Sequence, residues 1–311
     1  MSQPSPLAVG VDFGATSIKI GVCQGNQVLK KATPLPTQQF DSPASIIDAM
    51  CETIEQLRVE YPAIAGVGLG MPGWVDFHRG VLYQLTNVPV WNMEVAVKQI
   101  MEAKLGLPVA LDNDANCMAY AEWKLGAGRG LTSLVSLTLG TGVGGGIVVC
   151  DQMLRGARVS AAELGMTSID YQGKVGPFGN RGGVEEYIGN NEMTADAMAR
   201  YAAAGTPKTI EECSPYALEL AAHAGDPIAK QCYIDFAQKL ATLMMNLMYT
   251  IVPQAFILGG GVAKAGPLLL EPLDAFLKEQ LFPVHYENLK VLRAEFGNDA
   301  GMIGAAMMSL E

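Results

Sequence analysis

With three histidines in 311 residues, and six cysteines that form no CxxC pair, the sequence has few soft metal ligands. The cysteines (Cys23, Cys51, Cys117, Cys150, Cys213 and Cys232) are scattered. Several lie in apolar runs, where a free thiol behaves as a small hydrophobe. Basic residues are also scarce: 21 Lys and Arg stand against 31 Asp and Glu, a formal net charge of −10. That balance argues against a nucleic-acid or anionic-membrane partner, since both need a basic stripe. It still permits a small anion in a locally positive pocket. The opening MSQPSPLAVG lacks the basic start and long apolar run of a signal peptide. The longest apolar segment, Leu240 to Val252, is too short to span a bilayer. These absences point to a soluble chain in a reducing, cytoplasmic setting.

Glycine, with 35 residues, is plentiful. LAVGVDFGATSIKIGV, Leu7 to Val22, is a pair of β-branched runs around a glycine turn. The pattern returns at Leu134 to Val149, where it ends SLTLGTGVGGGIVV. Aligning the two sets Gly14 on Gly140 and Thr16 on Gly142, an offset of 126 residues. After the first pair comes a predicted helix from Asp41 to Tyr61, with Ser42 as N-cap and Pro43 in the first turn. Strands follow at Ile64 to Leu69, near Val81 to Leu85, and at Val109 to Leu111, the last running directly into the helix NDANCMAYAEWKLGAG. After the second pair, Asp226 to Val252 reads as a long helix stopped by Pro253. A strand at Ala255 to Leu258 enters the cluster GGGVAKAG, and FGNDAGMIGAAMMSL closes the chain as a glycine turn and helix. Strand-strand-strand-helix-strand-helix grammar thus occurs twice. It predicts an α/β protein of two related lobes with a cleft between them, residues 1–120 and 121–298, the final helix (299–311) packing back on the first.

A single glycine hairpin needs no ligand. Two in equivalent positions, with a third glycine turn opening a helix, suit a clamped polyphosphate: backbone N–H groups donate, and glycine lets the backbone come close. Asp12, just before Gly14, would be repelled by phosphate unless a cation intervenes, so its expected role is to hold Mg²⁺ through water. Thr16 and Lys19 add a hydroxyl and a charge, although Lys19 also reads as a solvated strand residue. Asp112, Asn113 and Asp114 sit where a strand becomes a helix. One of them is expected to cap the helix, and Asp114 is the candidate general base for a hydroxyl attacking phosphorus. Glu163 and Glu185 flank a glycine-rich loop and could accept paired hydrogen bonds from adjacent sugar hydroxyls.

Taken in order along nearly the whole chain, these motifs resemble the ROK family of bacterial sugar kinases, within the actin/hexokinase-like (ribonuclease-H-like) superfamily. VDFGATSIKIGV resembles the first phosphate loop, GMPGWVD and NVPVW the sugar-side loops, and LDNDAN the segment with the catalytic aspartate. LGTGVGGG resembles the second phosphate loop, with Gly140, Thr141 and Gly142, and ILGGGVAKAG the adenosine-side turn, with Gly260 and Gly261. The resemblance implies Asp114 as base and Asn113 as a sugar-hydroxyl ligand. It also implies Glu163 and Glu185 as sugar-binding glutamates, and Asn87 and Gly73 near the same pocket. The first lobe becomes the sugar side and the second the nucleotide side. ATP is the implied donor, Mg²⁺ the implied cation and a homodimer the implied assembly, with products ADP and a sugar 6-phosphate.

One stretch departs from the family pattern. Many members carry ExGH followed by CxCGxxGCxE, a histidine and three cysteines that bind a structural zinc. Here Met166, Gly176, Phe178 and Gly183 occupy those positions. Methionine and glycine do not bind Zn²⁺ in such a site, so no zinc site is expected. Packing by Phe178 and Tyr187 is the expected substitute. Glucose is the leading acceptor. N-acetylmannosamine, fructose or allose as acceptor, polyphosphate as donor, and a non-catalytic sugar sensor or repressor are the alternatives. The repressor reading fits least, because the first strand at Val9 to Val11 leaves no room for a preceding helix-turn-helix.

Overall fold

The computed structural model describes residues 5–85, 88–159 and 161–311. The chain opens with β1 (Leu7–Phe13), β2 (Ser17–Gln24), β3 (Gln27–Lys31) and β4 (Leu35–Pro36), then α1 (Pro43–Glu60) and β5 (Ile64–Met71). The small pair β6 (Val75–Asp76) and β7 (Val81–Leu82) precedes α2 (Val97–Leu105), β8 (Val109–Asn113) and α3 (Asp114–Lys124). The plan then restarts with β9 (Leu134–Leu139), β10 (Val143–Val149) and β11 (Gln152–Met153). Helices α4 (Glu185–Ile188), α5 (Asn190–Ala203), α6 (Pro215–His223) and α7 (Pro227–Ile251) lead to β12 (Ala255–Gly260). After it come α8 (Pro267–Gln280), α9 (Pro283–Tyr286), β13 (Lys290–Arg293) and α10 (Ala300–Met308).

The two larger sheets are built alike. One is ordered β3-β2-β1-β5-β8, with β4 added on β2; the other is β11-β10-β9-β12-β13. In the first, β1 and β2 form an antiparallel hairpin, while β5 joins β1, and β8 joins β5, in parallel. In the second, β12 runs parallel to both β9 and β13. The expected duplicated grammar is therefore present in the strand order.

Local signals set the main helices. Ser42 and Ser45 close a capping box ahead of α1, and Ile46, Ile47, Met50, Ile54 and Leu57 form its buried stripe. The Asp226 side chain accepts from the N–H groups of Ile228 and Ala229 at the start of α7, and Pro227 sits in the first turn.

The chain forms two compact units. The first is Met1–Leu131, Gly146–Ala162 and Ala294–Glu311; the second is Thr132–Gly145 and Glu163–Arg293. This differs from the expected cut at residue 120, which runs through α3. The end of that helix is tied into the first unit. The buried Glu122 carboxylate accepts from the N–H of Ala127 (3.1 Å) and of Phe296 (2.9 Å), and Trp123 Nε1 donates to the Leu131 carbonyl (2.9 Å).

Inside the first unit, α10 lies against β1, β2 and β5 because a row of glycines makes way for it. Gly21, Gly10 and Gly68 are register neighbours on β2, β1 and β5. A Cβ at Gly10 would overlap the Met302 carbonyl, and one at Gly68 the Ala305 carbonyl. On the other face of the sheet, Phe13, Ile18, Ile20, Ile47, Met50, Ile54, Leu69 and Trp91 form the main core. In the second unit, the buried face of α7, from Ala229 to Met248, packs against α5, α6 and α8. No helix among the described residues is long and apolar enough to cross a membrane.

Candidate functional site

The turn from β8 into α3 carries three polar residues with three separate tasks. Asn113 is the cap: its Oδ1 accepts from Ala115 N (2.9 Å) and Asn116 N (3.3 Å). Its Nδ2 points to the Gly73 carbonyl, at 3.5 Å. Asp112 is buried, and its carboxylate accepts from Asn113 N (2.7 Å), Asn116 Nδ2 (2.9 Å) and Arg155 Nε (2.7 Å). The third carboxylate belongs to Asp114, the first residue of α3, and accepts from its own backbone N–H and from the Ala115 N–H, the latter at 2.9 Å.

Burial pushes the Asp114 carboxyl up to about 6, the Asp12 charge adding to the effect and the Ala115 N–H opposing it. Burial keeps the Cys117 thiol protonated, the charges of Asp112, Asp114 and Asp12 adding to the effect and Arg155 opposing it. A carboxylate with raised proton affinity beside a second acid suits a group that must accept a proton.

Asp12 ends β1 and faces Lys19 across the hairpin. The pair is in register, with Lys19 Nζ at 2.8 Å from Asp12 Oδ2. Lys19 is thus engaged with the carboxylate and is not merely a solvated strand residue. Being partly exposed, the pair contributes at most about 1 kcal/mol to stability. Gly14, Ala15 and Thr16 form the turn, closed by Gly14 N donating to Ser17 O (3.0 Å). Thr37 holds it from outside: its hydroxyl donates to the Gly14 carbonyl (2.8 Å) and its N–H to the Thr16 carbonyl (3.0 Å).

The second glycine turn, Gly140 to Gly142, closes through Gly140 N to Gly142 O at 3.1 Å, and Asn190 N at the start of α5 donates to the Gly140 carbonyl at 2.9 Å. Glu185 backs this turn. Its carboxylate accepts from Val143 N–H, and burial raises its pKa above the usual carboxylate range. A Cβ at Gly142 would lie 2.6 Å from Glu185 Oε2, and one at Gly165 would lie 3.0 Å from it. Glycine at both positions leaves that carboxylate its place. Gly260 sits at the end of β12 with φ +91°, where a side chain would overlap the Leu139 carbonyl. Gly261 begins the short helical turn that follows.

Glu163 precedes a helical turn, Leu164–Met166, in a segment that pairs back on the chain before Glu185. Val184 N donates to Thr167 O (2.9 Å), and Ile169 N to Gly182 O (2.9 Å). Met166 precedes this pairing, Gly183 takes part in it, and Gly176 and Phe178 lie in the loop it closes. Among the described residues, no cluster of three His, Cys, Asp or Glu could hold a metal ion. Hydrogen bonds hold the loop. Lys174 N donates to the Tyr187 hydroxyl (2.9 Å), Lys174 Nζ to the Glu186 carbonyl (2.8 Å) and Asn180 Nδ2 to the Met166 carbonyl (3.0 Å). Tyr187 therefore acts chiefly through its hydroxyl. Phe178 is 54% exposed, so only part of its ring is covered in this loop.

The first unit thus contains Asp12, Gly14, Thr16, Lys19, Gly73, Asn113 and Asp114. The second contains Gly140, Thr141, Gly142, Glu163, Glu185, Gly260 and Gly261. Asn87 lies outside the described residues. Sequence reasoning missed Thr37 and Arg155, two polar residues that reach the site from distant chain positions and belong to no motif.

The profile of the ROK family matches residues 8–311. The glucokinase of Streptomyces coelicolor is 34% identical over 319 aligned residues, covering 98% of each chain. A ROK family glucokinase from Streptomyces griseus, solved in complex with glucose and AMPPNP, is 30% identical with a TM-score of 0.80, covering 97% of this chain and 98% of that one. The ROK hexokinase of Thermus thermophilus is 32% identical with a TM-score of 0.79, covering 97% of each chain. Their two-lobe architecture is that of the actin/hexokinase-like superfamily, which accounts for the repeated sheet plan. Matched from its first strand to its last residue, the chain belongs to the ROK family.

Proposed function

We propose that the protein is a sugar kinase that transfers the γ-phosphoryl group of ATP to the 6-hydroxyl of glucose, with Asp114 as general base. The observation that carries this reading is the Asp114 carboxylate at the head of α3, its proton affinity raised by burial and by Asp12. In the reaction, Asp114 accepts the hydroxyl proton as the oxygen attacks phosphorus. Asn113 Nδ2 orients a sugar hydroxyl, and Glu163 and Glu185 accept from others. The backbone N–H groups of the turns at Gly14 and at Gly140 to Gly142 hold phosphate oxygens, work in which positioning and charge neutralisation matter most. Gly260 and Gly261 lie against the adenosine.

Asp12, near Asp114 and paired with Lys19 but without a third metal-holding side chain among the described residues, fits Mg²⁺ as a cation held mainly by nucleotide phosphates. Mg²⁺ bound there would neutralise phosphate charge. Glucose as acceptor and ATP as donor are supported by the Streptomyces relatives, named glucokinases, and by the bound glucose and AMPPNP of the griseus enzyme. The homodimer and the cytoplasmic setting rest on family resemblance and on composition.

ADP release in a coupled assay, with MgATP and a panel of glucose, mannose, fructose, allose, N-acetylmannosamine and simple polyols, tests the reading. Saturable turnover with glucose as the preferred acceptor is expected. Turnover with another sugar alone would replace the acceptor. Silence with ATP, followed by turnover with polyphosphate, would replace the donor.

A further inference from the structure

We infer that Arg155 is a positioning residue for the turn that carries Asn113 and Asp114. The inference rests on the proposed roles of those two residues. Asp112 precedes them directly and is only 2% exposed. Two of its three hydrogen-bond donors, Asn113 N and Asn116 Nδ2, belong to the turn itself, so its carboxylate winds the strand end into the helix start. A buried carboxylate so placed needs a counter-charge, and Arg155 supplies it, with Nε at 2.7 Å. Among the described residues, no other cation is paired with Asp112. Lys19 is occupied by Asp12, and Lys124 by Glu311.

Arg155 is itself fixed. Its guanidinium carbon stacks 3.8 Å over the Phe77 ring, and Nη2 reaches Met308 Sδ at 3.4 Å. A planar, stacked and charge-paired guanidinium is a rigid post, which lysine does not reproduce. Without it, Asp112 would turn towards other donors and release the Asn113 N–H. The cap and the Asp114 rotamer would then lose their common reference. A misplacement of that kind weakens the chemical step and the grip on sugar while leaving the nucleotide contacts of the second unit alone.

The guanidinium also lines a cavity of about 360 Å³, together with Phe77, His78, Lys98, Glu102 and Glu311. Removing the side chain therefore opens a place that a free guanidinium ion can fill.

The test is Arg155→Ala, assayed with and without millimolar guanidinium chloride, beside Arg155→Lys and a core control, Ile54→Ala, on α1. Expected for Arg155→Ala are a kcat lowered 10- to 100-fold and a raised KM for the sugar, with the KM for ATP within about twofold. Guanidinium should restore several-fold of the kcat, and lysine should recover only part. The control is expected to lose melting temperature and keep its kcat.

Unchanged kcat, or a loss that follows the folded fraction and is unmoved by guanidinium, would overturn the inference. If Arg155→Ala fails to fold, Asp112→Asn with Arg155→Gln, which replaces the ion pair by amides, gives the same kcat and KM readout. Asp114→Asn run in parallel keeps the two readings apart. Full turnover there sinks the base assignment, whatever Arg155 does.

Discussion

Gly14 and Gly140 occupy the same step of two similar sheets, each after the strand that starts its hairpin, and each closes its turn by one backbone bond of similar length. Around the first turn stand charged and hydroxyl side chains: Asp12, Lys19, Thr16 and Thr37. The second is almost bare backbone, with Glu185 lying against Gly142 and the N-terminus of α5 holding the Gly140 carbonyl. The two turns share a backbone plan, which under the proposed function serves phosphate, and differ in the side chains around it. Two acids lie together in the first unit, where the Asp12 charge adds to the burial that raises the proton affinity of Asp114. The second turn kept what a close backbone approach requires.

That contrast can be broken in several ways. The largest effect is expected from Asp114→Asn, which removes the proposed base from the first unit. Turnover should fall on the order of 10³-fold while nucleotide binding, measured by calorimetry, stays near wild type. A comparable loss of nucleotide binding would mean that the two units do not divide the work in this way.

The pH profile is the next test. Only the ionised Asp114 accepts a proton, and its pKa lies at about 6 instead of the ordinary 3.8. kcat/KM should therefore be level near neutrality and fall about tenfold per unit as pH drops below 6. A limb nearer 4 would mean that the site is wetter than its burial implies.

Two glycines of the second turn should separate space from approach. Nothing lies within 4 Å of a Cβ at Gly140, so Gly140→Ala should fold normally, and a rise of roughly five- to tenfold in the KM for ATP would report a phosphate against that backbone. Gly142→Ala instead meets Glu185 Oε2 at 2.6 Å and should raise the KM for the sugar. Identical kinetics from the two variants would erase the distinction.

The smallest effect is expected in the loop between Glu163 and Glu185. Tyr187→Phe removes the acceptor for Lys174 N and should cost about 1 kcal/mol in denaturant unfolding, with a chelator leaving the wild-type melting temperature unchanged.

Much of this was legible before any coordinates. The β-branched pairs around Gly14 and Gly140 announced the two hairpins, and the capping residues Ser42 and Asp226 marked the starts of α1 and α7. The strand-to-helix switch at Asp112 to Asp114 was visible as a polar triplet, but not the division of labour within it. Which residue caps depends on backbone angles at the junction. Which residue is buried depends on Arg155, 43 positions away in sequence from Asp112. Thr37 escaped notice for the same reason: an isolated threonine in a loop carries no pattern. The hydrogen bonds of the Glu163 to Glu185 loop, from Lys174 and Asn180, escaped notice too, since isolated donors in a glycine-rich stretch carry no pattern.

By itself, the sequence determined the element order, the repeated α/β plan, the glycine turns and the absence of zinc ligands, since these depend on local periodicity, turn chemistry and the presence or absence of residue types. It took the tertiary contacts to bury Asp112 against Arg155, to make Asn113 the cap of α3, to pair Lys19 with Asp12, and to raise the proton affinity of Asp114. Those outcomes turn on burial and on charges brought together from distant parts of the chain, and desolvation is a property of neighbours that no single stretch of sequence contains.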